Sequence, residues 1–161
     1  MIVKGIIFED FVNYKKCSMT IIFPNCSFKC GKELCHNAAL EQQENIFYEV
    51  REIVHDYLEN PLSEALVLSG LEPFDSFGDM MRLITAFSKA YEISDDIVIY
   101  TGYYEHEIKD KLMMLQSFSN NIIVKFGRYE PEHSPHYDEV LGVNLAGPNQ
   151  YAKYLKDIEL S

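Results

Sequence analysis

Ala65–Ser69, ALVLS, is an unbroken apolar run of strand length that stops at Gly70. A half-exposed strand alternates apolar and polar residues, so a run without alternation reads as a strand buried on both faces, as in a parallel sheet. Three more runs stand around it: Ser18–Phe23, SMTIIF, ending at Pro24; Ile97–Tyr100, IVIY, closed by Gly102; and Ile122–Phe126, IIVKF, stopped by Gly127. The segments between them carry helical spacing. Ile46, Phe47, Val50, Ile53, Val54, Tyr57 and Leu58 predict a helix that stops near Asn60-Pro61, and Met80, Leu83, Ile84, Phe87 and Tyr91 predict a second that ends before Ser94. A third helix is expected around Glu105–Leu115. Beyond an apolar stretch at Val140–Val143, a Gly147-Pro148 turn precedes an expected terminal helix carrying Tyr151, Tyr154, Leu155 and Ile158. Alternating strands and helices define an α/β fold with a mainly parallel sheet and outer helices.

The chain has 161 residues, enough for one domain but short of a complete eight-unit α/β barrel of about 250 residues, so a single domain over 1–161 is expected. With 47% hydrophobic and 24% charged residues, it has a globular composition and no basis for disorder. Its formal charge of −11 opposes contacts with phosphate backbones and anionic membranes, which argues against nucleic acid and membrane as partners. No apolar run approaches a bilayer span of about 18 residues, and Glu9-Asp10 interrupts the early apolar stretch, so a cytoplasmic location is expected.

In parallel α/β folds the ligand site lies beyond the carboxyl ends of the strands. Here those positions hold Cys26, Cys30 and Cys35 after the first run, Ser69-Gly70-Leu71-Glu72-Pro73 after the second, Thr101-Gly102-Tyr103 after the third and Gly127-Arg128-Tyr129 after the fourth. The four cysteines of the chain, including Cys17, fall within nineteen residues, a clustering that suits metal ligation better than disulfides. Three thiolates at CxxxCxxxxC can converge on one centre. On spacing alone, zinc with Cys17 or His36 as fourth ligand and a three-cysteine iron-sulfur cluster both remain open.

Cys26–Asn37, CSFKCGKELCHN, following SMTIIFPN, resembles the radical S-adenosylmethionine enzymes, and its Cys-His-Asn ending is similar to that of the activating proteins of anaerobic (class III) ribonucleotide reductases. The likeness runs on in order through Asp10-Phe11-Val12-Asn13, Ser69-Gly70-Leu71-Glu72-Pro73 (similar to a Gly-Gly-Glu loop), Tyr100-Thr101-Gly102-Tyr103, Gly127-Arg128-Tyr129, Leu141-Gly142-Val143 and Asn149-Gln150. It differs from the usual CxxxCxxC spacing by two residues, and Leu71 stands where the second glycine usually stands.

The resemblance implies an incomplete, partial TIM-like barrel in which Cys26, Cys30 and Cys35 ligate a [4Fe-4S] cluster. It implies that Gly70, Leu71 and Glu72 cradle the methionine end of S-adenosylmethionine, mainly through backbone groups, with Thr101, Gly102 and Tyr103 on the cofactor floor. The implied activity is reductive cleavage of S-adenosylmethionine to place a glycyl radical on an anaerobic ribonucleoside-triphosphate reductase, fed by a one-electron donor such as a flavodoxin. Another radical S-adenosylmethionine substrate, or a non-enzymatic zinc or iron-sulfur adaptor, are the alternatives. Tyr103 could equally be a packing aromatic. His36 is read as orienting the cysteine loop, His133 and His136 as parts of an exposed loop rather than a second metal site, and Cys17 as a small apolar residue.

Overall fold

The computed structural model describes residues 1–27, 38–118 and 121–160. In chain order the strands are β1 (Ile2–Val3), β2 (Gly5–Asp10), β3 (Ser18–Phe23), β4 (Ile46–Phe47), β5 (Ala65–Gly70), β6 (Asp96–Tyr100), β7 (Ile122–Phe126), β8 (His136–Asp138), β9 (Val143–Leu145) and β10 (Tyr151–Tyr154). The α-helices are α1 (Val50–Glu59), α2 (Phe77–Thr85) and α3 (Lys109–Gln116). Six strands form the central sheet in the order β10-β7-β6-β5-β3-β2. The four apolar runs are its parallel centre, in register from Ser18↔Ala65 to Phe23↔Gly70, then Leu66↔Ile97 and Ile97↔Ile122. Both edges are antiparallel, β2 against β3 and β10 against β7. The result is a mixed α/β fold on an open, mainly parallel sheet, and no closed barrel is formed among the described residues.

The two faces of this sheet are covered differently. On one face Ile21, Leu68 and Ile99 pack with Ile53, Leu83 and Leu112 of the three helices in the main core. On the other, Val67, Val98 and Ile123 are covered by Tyr14, Leu141 and Leu145, which come from loops and β9 rather than helices. Asp10, at the end of β2, anchors the loop that carries Tyr14. Burial acts to raise its pKa, but hydrogen bonds from Thr20 Oγ1 (2.6 Å) and the Val12 N–H (2.7 Å) prevail and hold the carboxyl below its ordinary value.

Local signals explain most element ends. α1 stops at Asn60 because the residue before Pro61 is biased away from helical dihedrals. After α2 the backbone widens into a π-helical turn at Ala86–Ala90, which keeps Phe87 in the core.

Two expectations are corrected. Ile46 and Phe47 do not begin the helix; they form β4, pairing with Ile2–Val3, and are 42% and 69% exposed. Their helical spacing is overridden because β1 offers them a backbone partner. Nor is Tyr151–Tyr154 a terminal helix: it is an edge strand, Tyr151↔Phe126 through Tyr154↔Ile123, followed by a short 3-10 turn at Leu155–Asp157. Without it, β7 would present an open row of backbone donors and acceptors, and pairing satisfies them. The Gly147-Pro148 turn forms, with the Gln150 N–H bonded to Gly147 O at 3.1 Å.

Candidate functional site

The carboxyl ends of β3, β5, β6 and β7 open into one cleft of about 350 Å³, within the size range of small-molecule sites. Every described residue predicted for the site lines it: Cys26, then Gly70, Leu71 and Glu72, then Thr101, Gly102 and Tyr103. Lys125, Gly127 and Arg128 close the β7 side, and Asn13 and Val143–Ala146 face them from the loop-covered side of the sheet. Cys30, Cys35 and His36 lie outside the described residues.

The β3–β5 pairing continues past the strands and sets the cysteine segment beside the second loop. Leu71 N–H donates to Phe23 O at 3.2 Å and Glu72 N–H to Asn25 O at 2.8 Å. Gly70 makes the approach possible. Its φ is +96°, and a Cβ there would sit 2.6 Å from Phe23 N, closer than any side chain tolerates. Gly127 does the same at the far wall, with φ +105° and Asn149 O at 2.6 Å from a notional Cβ.

Glu72 joins the rim loops. It is 4% exposed, and its Oε1 accepts from Thr101 Oγ1 (2.8 Å) and the Phe74 N–H (3.1 Å) while Oε2 accepts from the Gly102 N–H (2.9 Å). Burial pushes its carboxyl up to about 7, against the pull of those three donors. Thr101 Oγ1 also accepts from the Tyr103 N–H at 3.0 Å, so the second and third loops form one hydrogen-bonded unit. Tyr103 is half-buried and donates its hydroxyl to Asp75 Oδ1 at 2.5 Å; burial first, then that bond, push its phenol up to about 12.

Among the described residues, Lys125 and Arg128 bring basic side chains to the cleft of this acidic protein. Lys125 is 7% exposed, donates from Nζ to Gly127 O at 2.9 Å and lies 5.9 Å from the Tyr100 ring centre. Arg128 pairs with Glu107 and stacks over Tyr104 with its guanidinium 5.0 Å from the ring centre. Tyr100 in turn donates to Asn13 O at 2.5 Å, tying the inner-face loop to the floor. Lys125 could have been noticed in the sequence as the lone charge inside IIVKF. Ser27, Asp75 and the β9 segment carried no local signal.

Among the described residues the rim offers one candidate cluster ligand. Cys26 presents a half-buried thiol at the cleft wall. Cys17 precedes β3 and Cys26 follows it, and a six-residue strand rises about 20 Å, so Cys17 cannot complete a centre with Cys26. That removes Cys17 as the fourth ligand of a zinc site. No group of three His, Cys, Asp or Glu side chains that could hold a metal occurs among the described residues. His133 bonds Glu130 at 2.9 Å in its loop, while His136 sits on β8 and bonds Gln150 O at 2.7 Å.

The sequence profile of the 4Fe-4S single cluster domain family matches residues 15–140, and the chain belongs to that family. It is an iron-sulfur protein, and the matched span begins before β3 and runs through all four rim loops. No curated protein and no solved structure matches the chain significantly. No helix among the described residues is long and apolar enough to cross a membrane.

Proposed function

We propose that the chain is a radical S-adenosylmethionine activase that installs a glycyl radical on an anaerobic ribonucleoside-triphosphate reductase. One observation carries this reading: Cys26 shares a single cleft with all six residues expected to hold S-adenosylmethionine, at the carboxyl end of a parallel sheet. Cys26, Cys30 and Cys35 are assigned as cluster ligands, and the open sheet with helices on one face as a partial barrel.

Held by Cys26, Cys30 and Cys35, such a cluster would supply one electron for reductive cleavage of S-adenosylmethionine, the chemistry that glycyl-radical installation on the partner would need. The chain's own residues bind and orient. Gly70 and Leu71 form the β5 end of the cleft beside the cysteine segment, and the Glu72 carboxylate holds Thr101 and Gly102 in place. Lys125 and Arg128 bring positive charge to a cleft that must receive the cofactor's carboxylate. Val12, 77% exposed on the cleft and adjacent to Phe11 at 68%, forms an apolar lip suited to a polypeptide substrate that would exclude water on docking.

Anaerobic reconstitution with iron and sulfide, followed by electron paramagnetic resonance of the reduced protein with and without S-adenosylmethionine, tests the reading. A reduced-cubane signal that changes on adding the cofactor, with release of 5'-deoxyadenosine, is the expected result. A cluster whose signal is indifferent to the cofactor, or a protein that holds zinc, overturns it in favour of an adaptor.

A further inference from the structure

The segment carrying Cys26 is fastened on both sides by the loops that follow β5 and β6. Before it, Asn25 accepts the Glu72 N–H at 2.8 Å and donates from Nδ2 to Ser76 Oγ at 3.0 Å. After it, the Ser27 N–H donates to Asp75 Oδ2 at 2.6 Å, while Asp75 Oδ1 accepts the Tyr103 hydroxyl at 2.5 Å. Ser27 Oγ and the Tyr103 hydroxyl lie 3.2 Å apart and close the group. One carboxylate therefore joins three loops of the rim.

The Ser27 N–H belongs to the peptide unit that links Cys26 to Ser27, and that unit is planar. Holding that N–H restricts the orientation of the plane, which contains the Cys26 Cα, and with the Asn25 carbonyl held on the other side the Cys26 backbone is restrained from both ends, leaving only its side-chain torsion to aim the thiol. Hydrogen bonds to a carboxylate are shorter and stronger than neutral ones, which suits a residue that must hold an exposed segment. Asn25 and Ser27 are both exposed, so apolar packing does not do this work.

We propose that Asp75 is a positioning residue for the cluster: with Tyr103 it restrains the peptide unit after Cys26, so that the backbone carrying the thiolate is held in place before iron arrives, and it keeps a carboxylate bonded to the residue next to that ligand. Tyr103 is thereby part of the cysteine clamp, whether or not it also touches S-adenosylmethionine. The proposal rests on Cys26 being a ligand and requires neither the activase substrate nor cofactor cleavage.

The experiment compares full-length wild type with Asp75→Asn, Tyr103→Phe, Ser27→Ala and Cys26→Ala. Each is followed for the rate of cluster assembly with iron and sulfide, the midpoint potential of the assembled cluster, and the melting temperature of the apoprotein. Asp75→Asn is expected to slow assembly about tenfold or more, as lost outer-shell partners do, and to raise the potential because a negative charge has gone. Tyr103→Phe, which keeps the charge and the Ser27 bond, is expected to slow assembly less and to leave the potential near wild type. Ser27→Ala retains the backbone donor and should assemble within about twofold of wild type, well short of the outer-shell loss.

Wild-type assembly and potential in Asp75→Asn, with assembly lost in Cys26→Ala, overturns the proposal alone. Undiminished assembly in Cys26→Ala overturns the ligand assignment and the proposal with it. If Asp75→Asn does not fold, Tyr103→Phe decides, and wild-type assembly in that folded variant overturns the clamp.

Discussion

At the amino end of the parallel strands, Tyr14 and Tyr57 donate their hydroxyls to Asp96 and Asp95, each at 2.7 Å; at the carboxyl end, Tyr103 donates to Asp75 at 2.5 Å. The bond type is the same, and the surroundings differ. Tyr14 is 1% and Tyr57 3% exposed, and burial, aided by the neighbouring carboxylates, pushes both phenols far up. Tyr103 stands half-buried on an open cleft, and its carboxylate partner also accepts the N–H of Ser27, the residue after Cys26. A tyrosine–carboxylate bond closes the fold at one end and positions chemistry at the other. What separates the two roles is the strand direction, because parallel strands turn all their outgoing loops to one rim.

The two ends of β3 differ most in their cysteines. Cys26→Ala is expected to abolish cluster assembly, while Cys17→Ala, at the other end of β3, leaves iron and sulfide content unchanged. Equal loss in both, read by iron and sulfide analysis after anaerobic reconstitution, would erase the distinction between the ends.

Glu72 supplies the next largest effect, in stability. Its folded-state pKa of about 7 lies above its ordinary value of 4.5, so its contribution is fully present below pH 4.5 and is lost as pH rises through 7. The loss is about 3 kcal/mol by alkaline pH. Thermal unfolding of the apoprotein across that window should show the decline in wild type and a flatter profile in Glu72→Gln; parallel profiles would remove Glu72 as its source.

Gly70→Ala should cost about 2 kcal/mol in denaturant unfolding, since the added Cβ meets Phe23 N in a left-handed conformation, and should also slow cluster assembly. Smallest is the amino-end staple. Tyr57→Phe and Tyr14→Phe should each cost about 1 kcal/mol of apoprotein stability and leave assembly untouched. A change in cluster potential in either would show that the two ends are coupled.

The strands of the parallel centre were legible because each lies buried on both faces and therefore reads as an apolar run; Ile122–Phe126 matches its predicted bounds. The edges were not. β2 reads GIIFED and β10 YAKY, and on an edge the solvent-facing side chains blur the pattern, so Tyr151–Tyr154 satisfied helical spacing as well as strand alternation. Ile46 and Phe47 misled for the same reason, since their partner lies more than forty residues away in the chain.

For the site, the sequence alone determined the residue types and their rim: the glycines that end the strands, Cys26 after the first and the Thr-Gly-Tyr after the third are local features of strand-to-loop turns. Tertiary structure decided which of them touch. That Glu72 turns inward to Thr101 and Gly102, that Lys125 reaches the cleft floor, and that Asp75 links Ser27 to Tyr103 follow from contacts 28 to 48 residues apart in sequence for the Glu72 and Asp75 bonds and from strand packing for Lys125. Periodicity reports which face of an element is buried, and carries no information on the side chain that a distant loop will bring to meet it.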